Sequence, residues 1–145
     1  MQIITRQVKD QPLTVIIEYP EMTESAASLI KKIGSLDIYF SASAEGKQIK
    51  IALSDVYYIE NVERKLFLYT QKEVYRYDST MAGLEELAEG TSLVRISRTC
   101  IMNVDHLKEI RQARNSHLEA ILDNDEMLIV SRKYLKNIKS VFKRG

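Results

Sequence analysis

The chain has 145 residues, with 21 lysines and arginines, 20 aspartates and glutamates and a single cysteine. This length predicts one domain, and the net charge of +1 excludes the overall basic coat of a histone-type protein. A single cysteine excludes an internal disulfide framework and any site built from several cysteines. Because no run approaches the roughly 18 apolar residues of a membrane span, and the first residues lack the apolar core of a secretory signal, the sequence predicts a cytoplasmic protein.

The charges are distributed unevenly along the chain. Residues 1–50 carry six bases and six acids, whereas residues 127–145 carry six bases and no acid. The six C-terminal bases are Arg132, Lys133, Lys136, Lys139, Lys143 and Arg144. A basic segment attracts polyanions such as nucleic acid, although on charge alone a solvated helix face is the simpler explanation.

The N-terminal part of the chain predicts a small β-α-β unit over residues 1–45. Residues 13–19 are rich in β-branched side chains and end at Pro20, which is typical of a strand. A helix follows, with Thr23 as its N-cap, Gly34 at its end and one apolar face at helical spacing; that face comprises Ala26, Leu29, Ile30 and Ile33. From residue 36 the apolar period changes to two, which predicts a second strand. We assign residues 1–50 to an N-terminal extension and residues 51–145 to a second domain.

The second domain is predicted to be mainly β with short helices. Strands are expected at residues 56–59, 66–70, 74–77, 107–111, 117–122 and 127–130. Residues 93–102 read as one extended segment, and turns are expected at residues 115–116 and 124–125. Short helices are expected after Asp78 or Ser79 and from Ser131, each beginning at an N-cap residue.

One residue breaks the alternation of its strand. In residues 93–102 one face should carry Val94, Ile96, Cys100 and Met102, but Arg98 shares that face. A charged side chain on an apolar face is costly unless it is paired. Two explanations remain open: the strand bulges and aims Arg98 outward, or Arg98 is buried in an ion pair. A local exception of this kind is typical of a functional position.

Motifs of catalysis and cofactor binding are absent from the sequence. No glycine-rich phosphate loop is present, and His106 and His117 lie in different segments without a metal-binding spacing. Residues 123–125, DND, are similar to the start of a calcium loop but lack its later glycine and glutamate. Cys100 reads as a small buried hydrophobe, with a redox-sensing thiol as the alternative. We therefore expect no cofactor, no metal and no enzymatic activity.

Three segments together resemble the LytTR family of bacterial DNA-binding domains. Residues 53–60, LSDVYYIE, are similar to the family's opening strand, l-x-D-I-x-Y-I-E. Residues 94–110, VRISRTCIMNVDHLKEI, are similar to F-x-R-I-H-R-S-x-L-V-N-x-x-x-I-x-x-I, and residues 130–136, VSRKYLK, to V-S-R-R-Y-L-K. The segments occur in the family's order and spacing over about residues 53–143.

The resemblance implies an elongated set of small β-sheets that reads successive major grooves of DNA through loops. It places the DNA contacts in the loop at residues 61–65, in the turn at residues 97–99 and at residues 131–133. The residues concerned are Arg64, Lys65, Ser97, Arg98, Thr99, Ser131, Arg132 and Lys133, and Lys136 follows as a further basic residue next to the third of these segments. Arg98 is therefore indicated twice, by the broken alternation and by the resemblance.

The side-chain chemistry suits these positions. Arginine binds O6 and N7 of guanine through two parallel hydrogen bonds, a role expected of Arg98 and Arg132. Lys133 and Lys136 are expected to contact phosphates, which give affinity and salt dependence rather than sequence choice. Two departures weaken the match: many relatives have histidine at position 97, and Glu63 brings an acid close to the backbone of DNA.

The N-terminal extension is too short for the receiver domain of about 120 residues that many relatives carry. The chain instead resembles the compact stand-alone regulators of the family, which are often restrained by a small membrane protein. We expect a homodimer on repeated half-sites of double-stranded DNA, with residues 1–50 serving dimerisation or docking to such a partner.

Two other functions stay open on the sequence. A protein-interaction module that retains the fold without reading DNA is favoured by the balanced charge and by Glu63. A binder of RNA or single strands is suggested by aromatic side chains along the strands, although these more commonly belong to a core and no RNP-like motif accompanies them. Those aromatics are Tyr57, Phe67, Tyr69, Tyr75 and Tyr77.

Overall fold

The computed structural model describes residues 1–114 and 117–142, with side chains of the last helix as far as residue 139. In that part of the chain the elements are α1 (Glu24–Ser35), β1 (Tyr39–Ala44), β2 (Lys47–Ala52), β3 (Tyr58–Val62), β4 (Lys65–Tyr69), β5 (Val74–Tyr77), α2 (Met81–Ala88), β6 (Leu93–Arg95), β7 (Cys100–Asn103), β8 (Leu107–Gln112), β9 (Leu118–Leu122), β10 (Met127–Val130) and α3 (Leu135–Phe142). Short 3-10 turns occupy Leu53–Asp55, Val104–His106 and Arg132–Tyr134.

The strands form two antiparallel sheets. The larger sheet has the order β2-β1-β5-β4-β3-β7-β6, and the smaller one has the order β10-β9-β8. Most neighbouring strands in these sheets are also consecutive in the chain and are joined by short turns. A short turn brings the chain back antiparallel to the strand that it has just left, so the two strands can pair at once. The predicted fold class, mainly β with short helices, is confirmed.

Two apolar clusters hold the sheets and helices together. The first cluster lies on one face of the larger sheet and includes Phe40, Ile59, Leu68 and Leu84 of α2, all almost fully buried. The second cluster joins β7 to the smaller sheet and to α3; its buried members include Ile96, Cys100, Met102, Leu122, Val130 and Ile138. Complete burial of such a side chain contributes about 1.5–3 kcal/mol, so each cluster fixes the elements that share it.

The N-terminal prediction is confirmed in part and wrong in part. Helix α1 forms, and its N-cap Thr23 accepts a hydrogen bond from the backbone of Ala26 at 3.1 Å. Residues 13–19 form no strand: Leu13 is 98% and Ile16 79% exposed. A β-branched segment becomes a strand only when a neighbouring strand supplies its hydrogen bonds, and none of the described strands pairs with residues 13–19. The boundary drawn at residue 50 falls inside β2, which pairs with β1 along its whole length.

Residues 93–102 are not one extended segment, as the sequence predicted, but a hairpin. The pairs Leu93 with Asn103 and Arg95 with Ile101 show that the chain reverses between β6 and β7. The last helix also differs, because α3 begins at Leu135 after a 3-10 turn rather than at Ser131. Of the two predicted turns, the one around Asp125 is present with φ of 68°, and residues 115–116 lie outside the described part of the chain.

Within the described ranges, no helix has the length and apolar character needed to cross a bilayer.

Candidate nucleic-acid interface

The first turn (residues 62–65) closes the hairpin of β3 and β4. Val62 pairs with Lys65, so only Glu63 and Arg64 form the connection. Both have positive φ, 51° and 67°, which is the conformation of the two-residue hairpin turns that match strand twist. The side chains of Arg64 and Lys65 are exposed at the end of this hairpin.

The second turn (residues 96–99) closes the hairpin of β6 and β7. The backbone N–H of Ile96 donates to the carbonyl of Cys100 at 3.0 Å, and the Ser97 hydroxyl accepts from the Thr99 N–H at 3.3 Å. Arg98 and Thr99 are exposed, and Ser97 is half-buried. Of the two placements left open for Arg98, the structure has the outward one, although a chain reversal rather than a bulge produces it.

The third turn (residues 131–134) leads from β10 into α3. Ser131 does not cap a helix with its side chain; its hydroxyl lies 3.5 Å from the carbonyl oxygen of Ile96. Arg132 and Lys133 are exposed on the 3-10 turn, and Lys136 is exposed on the first turn of α3. The Lys133 Nζ lies 5.7 Å from the centre of the Tyr134 ring.

Backbone hydrogen bonds bring the three turns together. The N–H of Asn61, just before the first turn, donates to the carbonyl of Thr99 in the second turn at 2.8 Å. The N–H of Ser131 in the third turn donates to the carbonyl of Ile96 in the second turn at 2.9 Å. With a rise of about 3.3 Å per strand residue, the tip of the first turn projects about 7 Å beyond Asn61. Segments far apart in sequence therefore share one surface.

This surface is rich in cations. Exposed basic side chains of the three turns and of the start of α3 are Arg64, Lys65, Arg98, Arg132, Lys133 and Lys136. In the described part of the chain, the ion pairs are made by other cations, so these six side chains have no carboxylate partner. Glu63 is the acid on the first turn, and it too is exposed. Such a surface attracts a polyanion and can donate hydrogen bonds to it.

Sequence reasoning missed a residue that the structure places at the centre of the site. The Arg95 guanidinium contacts the Glu85 carboxylate and the backbone carbonyls of Ser97 and Arg98. The Asn137 side chain of α3 donates to the Arg95 carbonyl at 2.9 Å. Arg95 pairs with Ile101 and therefore shares a face of the sheet with the first apolar cluster. The family motif F-x-R-I-H-R also has an arginine at this position, but the motif alone does not show what the side chain contacts.

The remaining reactive side chains have packing roles. Burial, with a smaller contribution from Glu60, raises the pKa of the Cys100 thiol to about 12, so the thiol is protonated at neutral pH. His106 stacks on Tyr57 with ring centres 3.9 Å apart and contacts Asp123 at 3.1 Å. Among the residues that the structure describes, no three histidine, cysteine or acidic side chains lie close enough to hold a metal ion.

The aromatic side chains also belong largely to the interior. Tyr57 is buried, Tyr75 and Tyr77 pack against the first cluster, and Tyr69 packs against the second. Tyr69 is stacked on Tyr58 with ring centres 4.2 Å apart. A strand surface whose rings are stacked and packed in this way offers few free faces for bases.

Comparison with known proteins gives consistent matches. The family model described as the LytTr DNA-binding domain matches residues 46–143. The chain is 25% identical over 138 residues to the sensory transduction protein LytT of Enterococcus faecalis, covering 94% of this chain and 57% of LytT. It is 33% identical over 91 residues to the transcriptional regulatory protein BtsR of Escherichia coli, covering 52% of this chain and 38% of BtsR. The chain thus spans about half the length or less of these relatives.

A solved structure has the same fold. A LytTr DNA-binding domain from Bacillus cereus superposes with a TM-score of 0.66 at 24% identity, over 72% of this chain and 96% of that one. The family model covers more than half of the chain, including all three turns. The chain therefore belongs to the LytTr DNA-binding domain family.

Proposed function

We propose that this chain is a transcription regulator of the bacterial cytoplasm that binds specific sequences in double-stranded DNA through its three turns. One observation carries the proposal: two backbone hydrogen bonds, Asn61 to Thr99 and Ser131 to Ile96, unite the turns into a single basic surface. The relative BtsR is a transcriptional regulatory protein, which is consistent with this role.

The exposed arginines are the candidates for reading bases. Arg98 stands at the end of a hairpin and Arg132 on a 3-10 turn, and both lack a carboxylate partner among the described residues. A free guanidinium can donate two parallel hydrogen bonds to guanine in the major groove. Arg64 and Lys65, on the projecting first turn, are proposed to reach an adjacent part of the duplex.

The lysines and hydroxyl groups are the candidates for contacting phosphates. Lys133 and Lys136 are exposed beside Arg132, and an ammonium group attracts phosphate without selecting a base. Ser97, Thr99 and Ser131 carry hydroxyl groups on the same surface and can donate to phosphate oxygens. These contacts would fix the register in which the arginines meet the bases.

The first experiment is selection of bound sequences from a pool of random duplexes, followed by affinity measurements on the selected site. Arg98→Ala and Arg132→Ala should each weaken cognate binding by about 1–3 kcal/mol and relax base preference at one position. Lys136→Ala should weaken binding to all duplexes about equally. Arg111→Ala, which removes an exposed cation of the smaller sheet, is the matched control and should change neither.

Two outcomes would contradict the proposal. Equal losses on cognate and random DNA for both arginine variants would refute base reading by these residues. Failure to enrich any sequence, with no binding that depends on salt, would favour a protein-interaction module that retains the fold.

We further propose that the chain binds as a homodimer to half-sites separated by whole turns of the duplex. The support is the N-terminal extension, where apolar side chains are exposed in a single chain; examples are Ile3, Ile4, Leu13, Val15 and Ile16. Several large apolar side chains exposed within one short segment are what an interaction site would present. Either a second copy or a small membrane protein would cover it, and the dimer is the simpler occupant.

A further inference from the structure

Arg95 differs from the other arginines of the site because its side chain points back into the protein. Its side chain is 20% exposed, whereas Arg98 is exposed at the end of the second turn. An arginine that is largely covered has little surface left to offer to a duplex. Its role must therefore be sought in the contacts that it makes within the chain.

Those contacts are hydrogen bonds to the backbone of the second turn. The Arg95 Nε donates to the carbonyl of Ser97 at 3.0 Å, and its Nη2 donates to the carbonyl of Arg98. Two consecutive peptide groups of the turn are thus bonded to one rigid, planar group. Rotation of either peptide would break one of these hydrogen bonds, so the direction in which the Arg98 side chain leaves the backbone is restricted.

The guanidinium is itself held by two other elements. Its Nη1 contacts the Glu85 carboxylate of α2, and the Tyr134 ring of the third turn lies 5.5 Å from its central carbon. The Asn137 side chain of α3 holds the backbone of the same residue. Helix α2, the third turn and α3 therefore all act on the second turn through Arg95.

We infer that Arg95 is a positioning residue for DNA recognition, which sets the orientation of Arg98 without contacting DNA itself. This inference rests on the proposed function, since it assumes that Arg98 reads a base. The geometry requires an arginine, because lysine carries a single ammonium group and cannot bridge the Glu85 carboxylate and two carbonyls in fixed directions. Lysine would nevertheless keep the positive charge.

The experiment compares Arg95→Lys, Glu85→Gln, Arg98→Ala and the double variant Arg95→Lys with Arg98→Ala. Affinity is measured on the selected duplex, on duplexes altered at the base pair that Arg98 reads, and over a range of salt. Arg95→Lys should bind the selected duplex about tenfold more weakly than the wild type does, and this loss should disappear on duplexes altered at the base pair that Arg98 reads. The salt dependence of binding should not change. Glu85→Gln should bind the selected duplex about threefold more weakly, with the loss confined to the same base pair. The double variant should have the same affinity as Arg98→Ala.

Arg111→Lys is the matched control, because Arg111 pairs with Glu109 on the smaller sheet and should tolerate the exchange. Amide hydrogen exchange in the protein without DNA measures how strongly Arg95 restricts the backbone of the second turn. In Arg95→Lys the amides of Ser97 and Thr99 should exchange about tenfold faster than in the wild type.

Each contrary result has a distinct meaning. A uniform loss on all duplexes with a salt slope reduced by about one would make Arg95 a phosphate contact and overturn the inference. Unchanged affinity and unchanged amide exchange in Arg95→Lys would also overturn it. If Arg98→Ala alone changed no base preference, the proposed function would fail, whatever Arg95→Lys did.

Discussion

Glu63 and Arg64 form the tip of the first turn in a backbone conformation that is unfavourable for residues with a Cβ. Both lie in the left-handed region, with φ of 51° and 67°, where a residue with a Cβ is less stable than glycine by about 1 kcal/mol. Asparagine followed by glycine is the preferred pair for this type of turn. The chain instead carries a cation at the tip, which suits a functional position better than a purely structural one.

We expect Arg64→Gly to raise the free energy of unfolding by about 0.5–1 kcal/mol, because it relieves this conformation. The same exchange at Lys65, inside β4, should lower that free energy by a similar amount. Chemical denaturation measures both. If Arg64→Gly destabilised the protein, the turn geometry described above would be wrong. The same variant should bind DNA more weakly, since it loses a cation.

Arg98 and Arg95 show how far single residues could be interpreted from the sequence. Alternation singled out Arg98 as an exception, and the structure has its side chain exposed, but alternation could not tell a continuous strand from a hairpin. Val94 pairs with Met102 across the turn, so even-numbered residues share one face in either arrangement. Arg95 matches an arginine of the family motif, but its role could not be predicted, because its partner Glu85 comes from α2 and its other partners are backbone carbonyls.

A small polar cluster connects the larger sheet to the smaller one. His106 contacts Asp123 at 3.1 Å and the carbonyl of Ser54 at 2.6 Å, while its ring stacks on Tyr57. Asp123 follows β9 of the smaller sheet, and Tyr57 leads into β3 of the larger one. Burial would by itself raise the pKa of Asp123, but hydrogen bonds from Tyr57 and His106 lower it on balance.

A lowered pKa makes this cluster sensitive to acid. The carboxylate of Asp123 contributes stability that is complete above the pKa of an unfolded aspartate, about 3.9, and is lost as the pH falls through its folded pKa. We therefore expect the stability difference between wild type and Asp123→Asn to be constant above about pH 5 and to shrink as the pH falls below about 4.

Urea denaturation at a series of pH values measures this difference. Tyr57→Phe removes one hydrogen bond from Asp123 and keeps the ring on His106, so it should reduce the same acid dependence in part. A difference that stays constant across the pH range would show that Asp123 does not couple the sheets as described.

At the scale of elements, sequence prediction succeeded where a pattern is completed locally. Helix α1 has its own cap and apolar stripe, and the hairpin of β4 and β5 has its own short turn. Residues 13–19 have strong strand propensity, yet they form no strand because pairing requires a partner that the single chain does not supply.

A dimer would give the N-terminal segment a partner. We expect Leu13→Asp with Ile16→Asp to convert a dimer into a monomer, because both side chains are exposed and apolar in the single chain. Gln7→Asp with Gln11→Asp adds the same charge to the same segment and should leave the dimer intact. Sedimentation measures the oligomeric state.

The proposed dimer should also strengthen binding to DNA. The monomeric variant should lose about a hundredfold in affinity for a duplex with two half-sites and little for one half-site, because linked sites gain effective concentration. An unchanged oligomeric state in Leu13→Asp with Ile16→Asp would contradict the proposed role of this segment.

The sequence by itself determined the fold class, the family resemblance and the three segments that carry the basic residues. Each of these depends on local order: alternation, caps, turn residues and motif spacing. Only the tertiary structure decided that the three turns meet, that Arg98 points outward and that Arg95 grips its turn. The meeting of the turns depends on hydrogen bonds between residues far apart in sequence, such as Asn61 with Thr99 and Ser131 with Ile96, and no local pattern encodes which distant carbonyl a given N–H will find. The position of Arg95 depends on Glu85 and Asn137, which come from other elements, as well as on the nearby carbonyls.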